Sequence, residues 1–543
     1  MKNSRFLLLI TVFSLITISS CNSPKKKSRK TSSSNEEITS IEVSSEQTAS
    51  ISVFSSTPII SSNQPSISSA QPSINPSSNT PQSSSIPSAS SSQNPPSSSL
   101  APISSSSITP PSEDDYTMIE TLSKRMPAEF EPCEQVIMCY PEMMDASVYK
   151  EIAKDNKILL LCNPSYNGSS RISEAQSWVS SNGMNQANFT YLDMNLDNDN
   201  AYWARDFSPF FVYNNLDLGI VDFTYNRSDR TEQNAVPKNL STYFSMPYSK
   251  MNLTHTGGNL MQNGRGTAFS DDLVVSENSS NESKVRSEML SYTGTDNYVI
   301  TIDPQGDYIA HIDCWAKIVA PDKIIVAKLP ETNSRYQYYE QVANELANTK
   351  CSYGYNYKIY RVEEPGGSTI TPYTNSLIAN KHVYLPLGSN STYNQKAIQV
   401  YQEALPGYTI HGIENSSDND FKNTDALHCR THEIPSTKNV FIDSREVLHD
   451  NVSSSTKKLV KCNIISYDKQ SLKSVKLYYS INDGAYQSVD MNKYKDTSNY
   501  TFEFTSLNEG DNVQYYIEAI DNNNNVGNDP VFKEAEPHQF NII

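Results

Sequence analysis

Residues 31–112 constrain this chain before any motif does. Ser, Pro, Thr, Asn and Gln dominate the stretch, with few aromatics and no apolar period. It cannot bury enough surface to offset the entropy of ordering, so everything that folds as a core must lie elsewhere. Composition changes sharply at about residue 116, and the folding part is expected from there on. The stretch itself reads as a disordered tether, about 50 Å end to end at flexible-coil dimensions and longer with proline stiffening. A tether of that kind lifts a domain through a wall or polysaccharide layer. The 543 residues exceed what one core usually serves, so at least two folded units are expected.

Ahead of the tether, Met1-Lys2-Asn3-Ser4-Arg5 is a short basic start, and the apolar run from Phe6 to Ile18 is too short for a comfortable transmembrane helix. It ends in Ile18-Ser19-Ser20-Cys21, which resembles the lipobox of bacterial lipoproteins. The resemblance implies removal of residues 1–20 and a lipid on Cys21, where an ordinary signal peptide cut nearby is the alternative. Residues 21–115 then form the lipidated tether, and Lys25, Lys26, Lys27, Arg29 and Lys30 add attraction to anionic headgroups. The expected location is an exported lipoprotein at the outer cell surface or outer membrane, touching the membrane only through its anchor.

Setting Cys21 aside leaves seven cysteines, without the short paired spacings of a zinc site or disulfide scaffold. Cys133, Cys139, Cys162, Cys351 and Cys462 sit mostly in apolar stretches and read as buried small hydrophobes. One free reactive thiol fits this arithmetic. The net charge of −17 argues against a nucleic-acid partner and mildly favours the approach of a basic one.

Across residues 116–452 short apolar strands alternate with helical stretches. Strand signals at 376–379 and 383–386, a helix over 394–405 and a strand at 408–413 form one β-β-α-β unit. Partial copies stand at 323–349 and 135–162, which suggests an α/β domain with internal pseudo-symmetry. From about residue 456 the helical signal disappears. Alternating strands and the hairpin turn Asn482-Asp483-Gly484 make residues 453–543 an immunoglobulin-like β sandwich without a Cys…Trp…Cys core.

Three clusters carry chemistry. ALHCRTHEIP places His428 beside Cys429, WARDFSPF spans 203–210, and AHIDC spans 310–314. Asp206 and Asp313 suit a planar cation, His311 can move protons, and Cys429 can be the nucleophile. Each cluster also has a bland reading. Arg205 and Asp206 read as a strand-end salt bridge, and His311 and Asp313, two apart, as neighbours on one strand face. Gly257-Gly258-Asn259 lets backbone approach a ligand closely or simply makes a turn. A metal pair at His311 and Asp313 lacks a third ligand at useful spacing.

The ordered motifs MPAEFEP (126–132), WARDFSP, TGGN (256–259), AHID, TNS (374–376) and LHC (427–429) resemble the family of agmatine deiminases and bacterial, Porphyromonas-type peptidylarginine deiminases. The resemblance spans nearly all of residues 117–435. It implies a pentein fold, a five-bladed α/β propeller, and hydrolysis of a guanidino group to a ureido group with release of ammonia. The implied pathway runs through a covalent amidino-cysteine. Cys429 is the implied nucleophile, His311 the acid and base, Asp206 and Asp313 the guanidinium ligands, and Asn375 a polar residue close to the nucleophile. No cofactor or catalytic metal is required, with room left for a structural calcium or sodium ion. Trp203 suits stacking on the guanidinium plane, and Gly258 and Asn259 fall among the substrate-binding positions.

DFTYNRSDR (222–230) resembles the peptidylarginine branch, in which two arginines grip the α-carboxylate of a C-terminal arginine. Arg227 matches the first. Asp229 stands where the second is expected, and Arg230 follows one place later. Thr256 and the downstream sandwich fit the same branch. The expectation is a deiminase of peptide or protein arginine, with the C-terminal residue preferred. Its rivals are a small-guanidine hydrolase of agmatine type, an amidinotransferase and a catalytically inactive surface adhesin.

Overall fold

The computed structural model describes residues 117, 119–165, 167–194, 201–366, 370–416 and 421–543. The signal segment, Cys21 and the tether lie outside them.

Five β-β-α-β units occur among the described residues, each an antiparallel strand pair followed by a helix and a strand parallel to the second. Phe210–Asn214 and Asp217–Tyr225 pair, helix Val236–Phe244 crosses, and Tyr248–His255 returns parallel. Met261–Gln262, Thr267–Asp271, helix Glu282–Thr293 and Asn297–Thr301 repeat the pattern. So do Ala316–Ala320, Lys323–Lys328, helix Tyr336–Ala347 and Lys358–Glu363. Another runs Leu377–Ala379, His382–Pro386, helix Ser391–Ala404 and Thr409–Ile413. The remaining unit takes its outer strand, His432–Pro435, from far along the chain. It pairs with Cys133–Tyr140, which is followed by helix Ala146–Asp155 and the parallel strand Ile158–Cys162.

Local sequence accounts for these elements. Ile158–Cys162 reads ILLLC and is buried throughout, as an interior parallel strand covered on both faces must be. Helix Ser391–Ala404 starts where the Asn390 side chain accepts from the backbone of Thr392 and Tyr393, and it buries Ala397, Tyr401 and Ala404 along one stripe. The three copies legible in sequence are present. The other two were not read because their strands are short or carry polar residues, as in Tyr248–His255.

Beyond the units lie two further sheets with a shared core that includes Val460, Leu477, Ile517 and Phe540. The hairpin of Leu472–Ile481 and Gln487–Asp490 turns through Asn482 (φ 52°) and Asp483 (φ 55°), as asparagine and aspartate tolerate. Val440–Asp443 pairs with Lys458–Ser466, and Asp450–Val452 with His538–Ile542. Strand pairing thus draws residues ahead of the expected limit at 453 into the C-terminal sheets. Such short apolar runs carry no period long enough to assign them from sequence.

Arg125 joins the two regions. Its buried guanidinium bonds Glu131 and the Tyr467 hydroxyl and lies 3.7 Å over the Phe441 ring.

Candidate active site

Cys429 is 2% exposed. The Asn375 amide brackets it, with Nδ2 donating to Sγ at 3.1 Å and Oδ1 accepting from the Cys429 backbone N–H at 3.2 Å. Sγ also lies 3.5 Å from Asp313 Oδ2 and 3.4 Å from the Thr424 carbonyl. An amide N–H aimed at sulfur favours the thiolate once it forms. A hydrogen bond from Cys314 also pulls this thiol's pKa down, but burial with Asp313, Asp206 and Asp425 outweighs it and leaves it at about 11.

Asp206 sits in the short helix Ala204–Phe207, and His311 caps the 3-10 turn Ile312–Cys314. His311 and Asp313 therefore do not share a strand face. The turn sends their side chains separately into the site, a geometry that the spacing of two suggested wrongly. His311 Nδ1 is 3.7 Å from Asp206 Oδ1. Neither that oxygen nor either ring nitrogen of His311 has a hydrogen-bond partner in the protein, though all are buried. Burial pushes the Asp206 carboxyl up, seconded by Asp313 and opposed by His311 and Arg227. Burial also pushes the His311 imidazole down, with Asp206 opposing. The cluster consists of a thiol, an acid and an imidazole all biased toward their neutral forms, so an entering cation would restore charge to the acid and thiol.

Gly258 makes the approach of Asp206 and His311 feasible. A Cβ there would stand 2.4 Å from His311 Nδ1 and 2.9 Å from Asp206 Oδ1. Asn259, expected among the substrate contacts, spends its side chain on the backbone of Asp271 instead, accepting at 2.9 Å and donating at 3.4 Å. Its role here is to hold the turn against the strand Thr267–Asp271. At the rim, the Arg230 guanidinium lies 4.6 Å over the Trp203 ring, so that face already carries a guanidinium from the chain itself. Arg227 is half-buried and close enough to act electrostatically on both Asp206 and His311.

A buried polar chain supports Asp313 from behind. His428 spans Asp313 and Glu129, 2.7 Å from each, and Glu129 also bonds Lys317. Arg205 pairs with Glu433 at 2.7 Å rather than with Asp206, which corrects the salt bridge expected from their adjacency. Adjacent residues on a helical turn point apart, and this divergence leaves Asp206 Oδ1 without a hydrogen-bond donor. Glu129, Lys317, His428 and Glu433 were not singled out as site residues. Lys317 left a signal, a lone charge in the apolar run of strand Ala316–Ala320. Cys314 is the other omission. All seven cysteines among the described residues are buried and free, and this one shares the Thr424 carbonyl with Cys429.

Cysteine, imidazole and carboxylates gathered in one buried cluster are the parts of an enzyme that attacks a cationic carbon through a thiol. The chain belongs to the Porphyromonas-type peptidyl-arginine deiminase family, whose model matches residues 125–435. Such enzymes act on guanidino substrates such as agmatine or arginine, with a cysteine nucleophile and no cofactor. Relatives include the "Putative agmatine deiminase" of Legionella pneumophila (strain Philadelphia 1), 24% identical over 343 residues, covering 57% of this chain and 94% of the relative. That of Photobacterium profundum is 23% identical over 367 residues, covering 57% and 96%. An X-ray structure of a "putative agmatine deiminase" matches with TM-score 0.51 at 20% identity, over 58% of this chain and 96% of that one. A crystal structure of a "putative peptidyl-arginine deiminase" matches with TM-score 0.50 at 19% identity, over 58% and 99%. These likenesses speak to the fold, a mixed α/β pentein-type deiminase fold with an added β-rich region C-terminal to it.

Proposed function

We propose that the chain is a surface-tethered deiminase of peptide arginine, with the C-terminal residue preferred, converting its guanidino group to a ureido group. The observation that carries the reading is the trio of unpaired buried atoms, Asp206 Oδ1 and both nitrogens of His311, beside a cysteine held by Asn375. Buried polar atoms are rarely left without partners, and a guanidinium supplies donors to the Asp206 oxygen and to the unprotonated nitrogen of His311.

In this reading Asp206 and Asp313 hold the guanidinium with its carbon toward Cys429 Sγ. The thiol proton passes to His311, sulfur bonds to that carbon, His311 returns the proton to one departing nitrogen, and ammonia leaves an amidino-cysteine. Water activated by His311 then attacks the same carbon, the C–S bond breaks, and the ureido product departs with the thiol restored. Arg227, at the rim and near Asp206, is assigned to the substrate α-carboxylate, with Arg230 stacked on Trp203 as the neighbouring cation. The five units form the five-bladed propeller on this reading. The C-terminal sheets form an immunoglobulin-like domain whose strands begin at about residue 440.

Relatives named for agmatine favour a second reading, a hydrolase of small guanidines. The discriminating assay is ureido formation without added calcium on a peptide ending in arginine, the same peptide amidated, and agmatine. The free-carboxylate peptide is the expected substrate, and Arg227→Ala is expected to raise its KM about tenfold or more while sparing the amide. Turnover of agmatine alone, or equal effects on both peptides, overturns the proposal.

A further inference from the structure

A second cluster of histidine and carboxylate lies away from the cysteine, where helix Ala146–Asp155 meets strands His382–Pro386 and Thr409–Ile413. The two strands are parallel, and His382 registers with Thr409. His411, two residues on, therefore faces the same side as His382. The helix adds Glu151 and Asp155, which are four apart and so share one face.

Three atoms converge. His382 Nδ1 is 2.9 Å from His411 Nε2 and 3.4 Å from Asp155 Oδ2, and His411 Nε2 is 3.9 Å from that same oxygen. A tetrahedral zinc ion with bonds near 2.0–2.1 Å separates its ligands by about 3.4 Å, which these spacings bracket. The far nitrogen of His411, Nδ1, lies 3.1 Å from Glu151 Oε1. A carboxylate there keeps the proton on Nδ1 and turns the Nε2 lone pair toward the other two atoms, as supporting carboxylates do for metal-bound histidines. The Tyr384 ring stacks on His411 at 4.9 Å, and its hydroxyl accepts from Asn156 Nδ2 at 2.8 Å, so the imidazole is held in place. The other Glu151 oxygen is taken by Lys154. The two histidines are half-buried and Asp155 is exposed, which leaves an entry path and a fourth position for water.

We infer that Asp155, His382 and His411, with Glu151 behind His411, form a binding site for a zinc-class divalent transition metal that is separate from the catalytic cluster. An ion there would staple two units: the helix belongs to the one closed by His432–Pro435, the histidines to that of residues 377–413. The helix already packs between both sheets, with Tyr149 and Ile152 in one core with Leu160, Leu377 and Tyr384. Its role is therefore structural.

The test is titration of the metal-stripped full chain, purified without a histidine tag, with Co2+ and then Zn2+. One Co2+ per chain is expected, with the strong visible absorption of four-coordinate cobalt and no thiolate band, displaced by Zn2+. Zn2+ is expected to raise the thermal midpoint by several degrees. His382→Gln and Asp155→Asn are each expected to abolish the absorption and the thermal shift, and Glu151→Gln to weaken affinity 10- to 100-fold. If one variant misfolds, the other decides. Cobalt that keeps a pale six-coordinate spectrum, or binding unchanged in both variants, overturns the site.

Discussion

Asp206 and Asp529 are both buried carboxylates, and the protein treats them in opposite ways. Asp529, between the deiminase units and the C-terminal sheets, accepts from Arg265 at 2.5 Å, Tyr353 at 2.6 Å, His538 at 3.1 Å and Ser444. Burial would raise its pKa, but Arg265 and His538 hold it well below the usual carboxylate range. Asp206 Oδ1 has no hydrogen-bond donor, beside a histidine that lacks hydrogen-bond partners too, and burial pushes its pKa up. A structural acid has its partners built in. An acid meant for a ligand is left short of them, at a cost in stability that surrounding packing must offset.

The comparison can be broken or sharpened in order of effect. Cys429→Ala is expected to lower turnover on the order of 10⁴-fold or more and leave the thermal midpoint unchanged. A midpoint that drops would mean that the bracket around Cys429 is structural. Asp529→Asn is expected to cost about 3–5 kcal/mol in denaturant unfolding, because Arg265 loses its close partner. Turnover of the protein that remains folded should persist. Asp206→Asn should do the reverse, lowering turnover on the order of 10²-fold with stability equal to or above that of the parent at neutral pH. If both substitutions destabilise alike, the distinction fails.

Acid titration separates the same two groups. The contribution of Asp529 is complete above the unfolded carboxyl value near 3.9 and is lost as pH falls through its depressed folded value, so Asp529→Asn should flatten the acid limb. Asp206 has a raised folded value. Its contribution is complete below the unfolded value and is lost as pH rises through the folded one, so Asp206→Asn should flatten that decline instead. A further titration concerns the thiol. Alkylation of Cys429 in the free protein should gain about tenfold per pH unit toward about 11, and an unreactive guanidinium should raise the rate at neutral pH. A rate that is flat between neutral and alkaline pH would place the thiolate in the free site already.

The main features of the site were legible because they sit in short motifs. Cys429, Asn375, His311, Asp206 and Asp313 each lie in a run whose chemistry is local, and the structure gathers all five. Their supports were not legible. His428 and Glu129 are 299 residues apart, and Lys317 reaches Glu129 across 188. No periodicity spans such distances. The same holds for Asp155, His382 and His411, which as isolated letters look like ordinary helix and strand residues.

Composition and local pattern by themselves determined that residues 31–112 are too polar to supply a core, where three of the five β-β-α-β units lie, and which residue types the chemistry needs. Those depend on backbone conformation and burial within a few neighbouring positions. Only the tertiary structure decided which charges meet. It paired Arg205 with Glu433, gave Asp529 four donors, and left Asp206 with an unanswered oxygen. Pairing depends on where distant segments come together, and in a low-dielectric interior that sets which acid is held by donors and which keeps an oxygen without one.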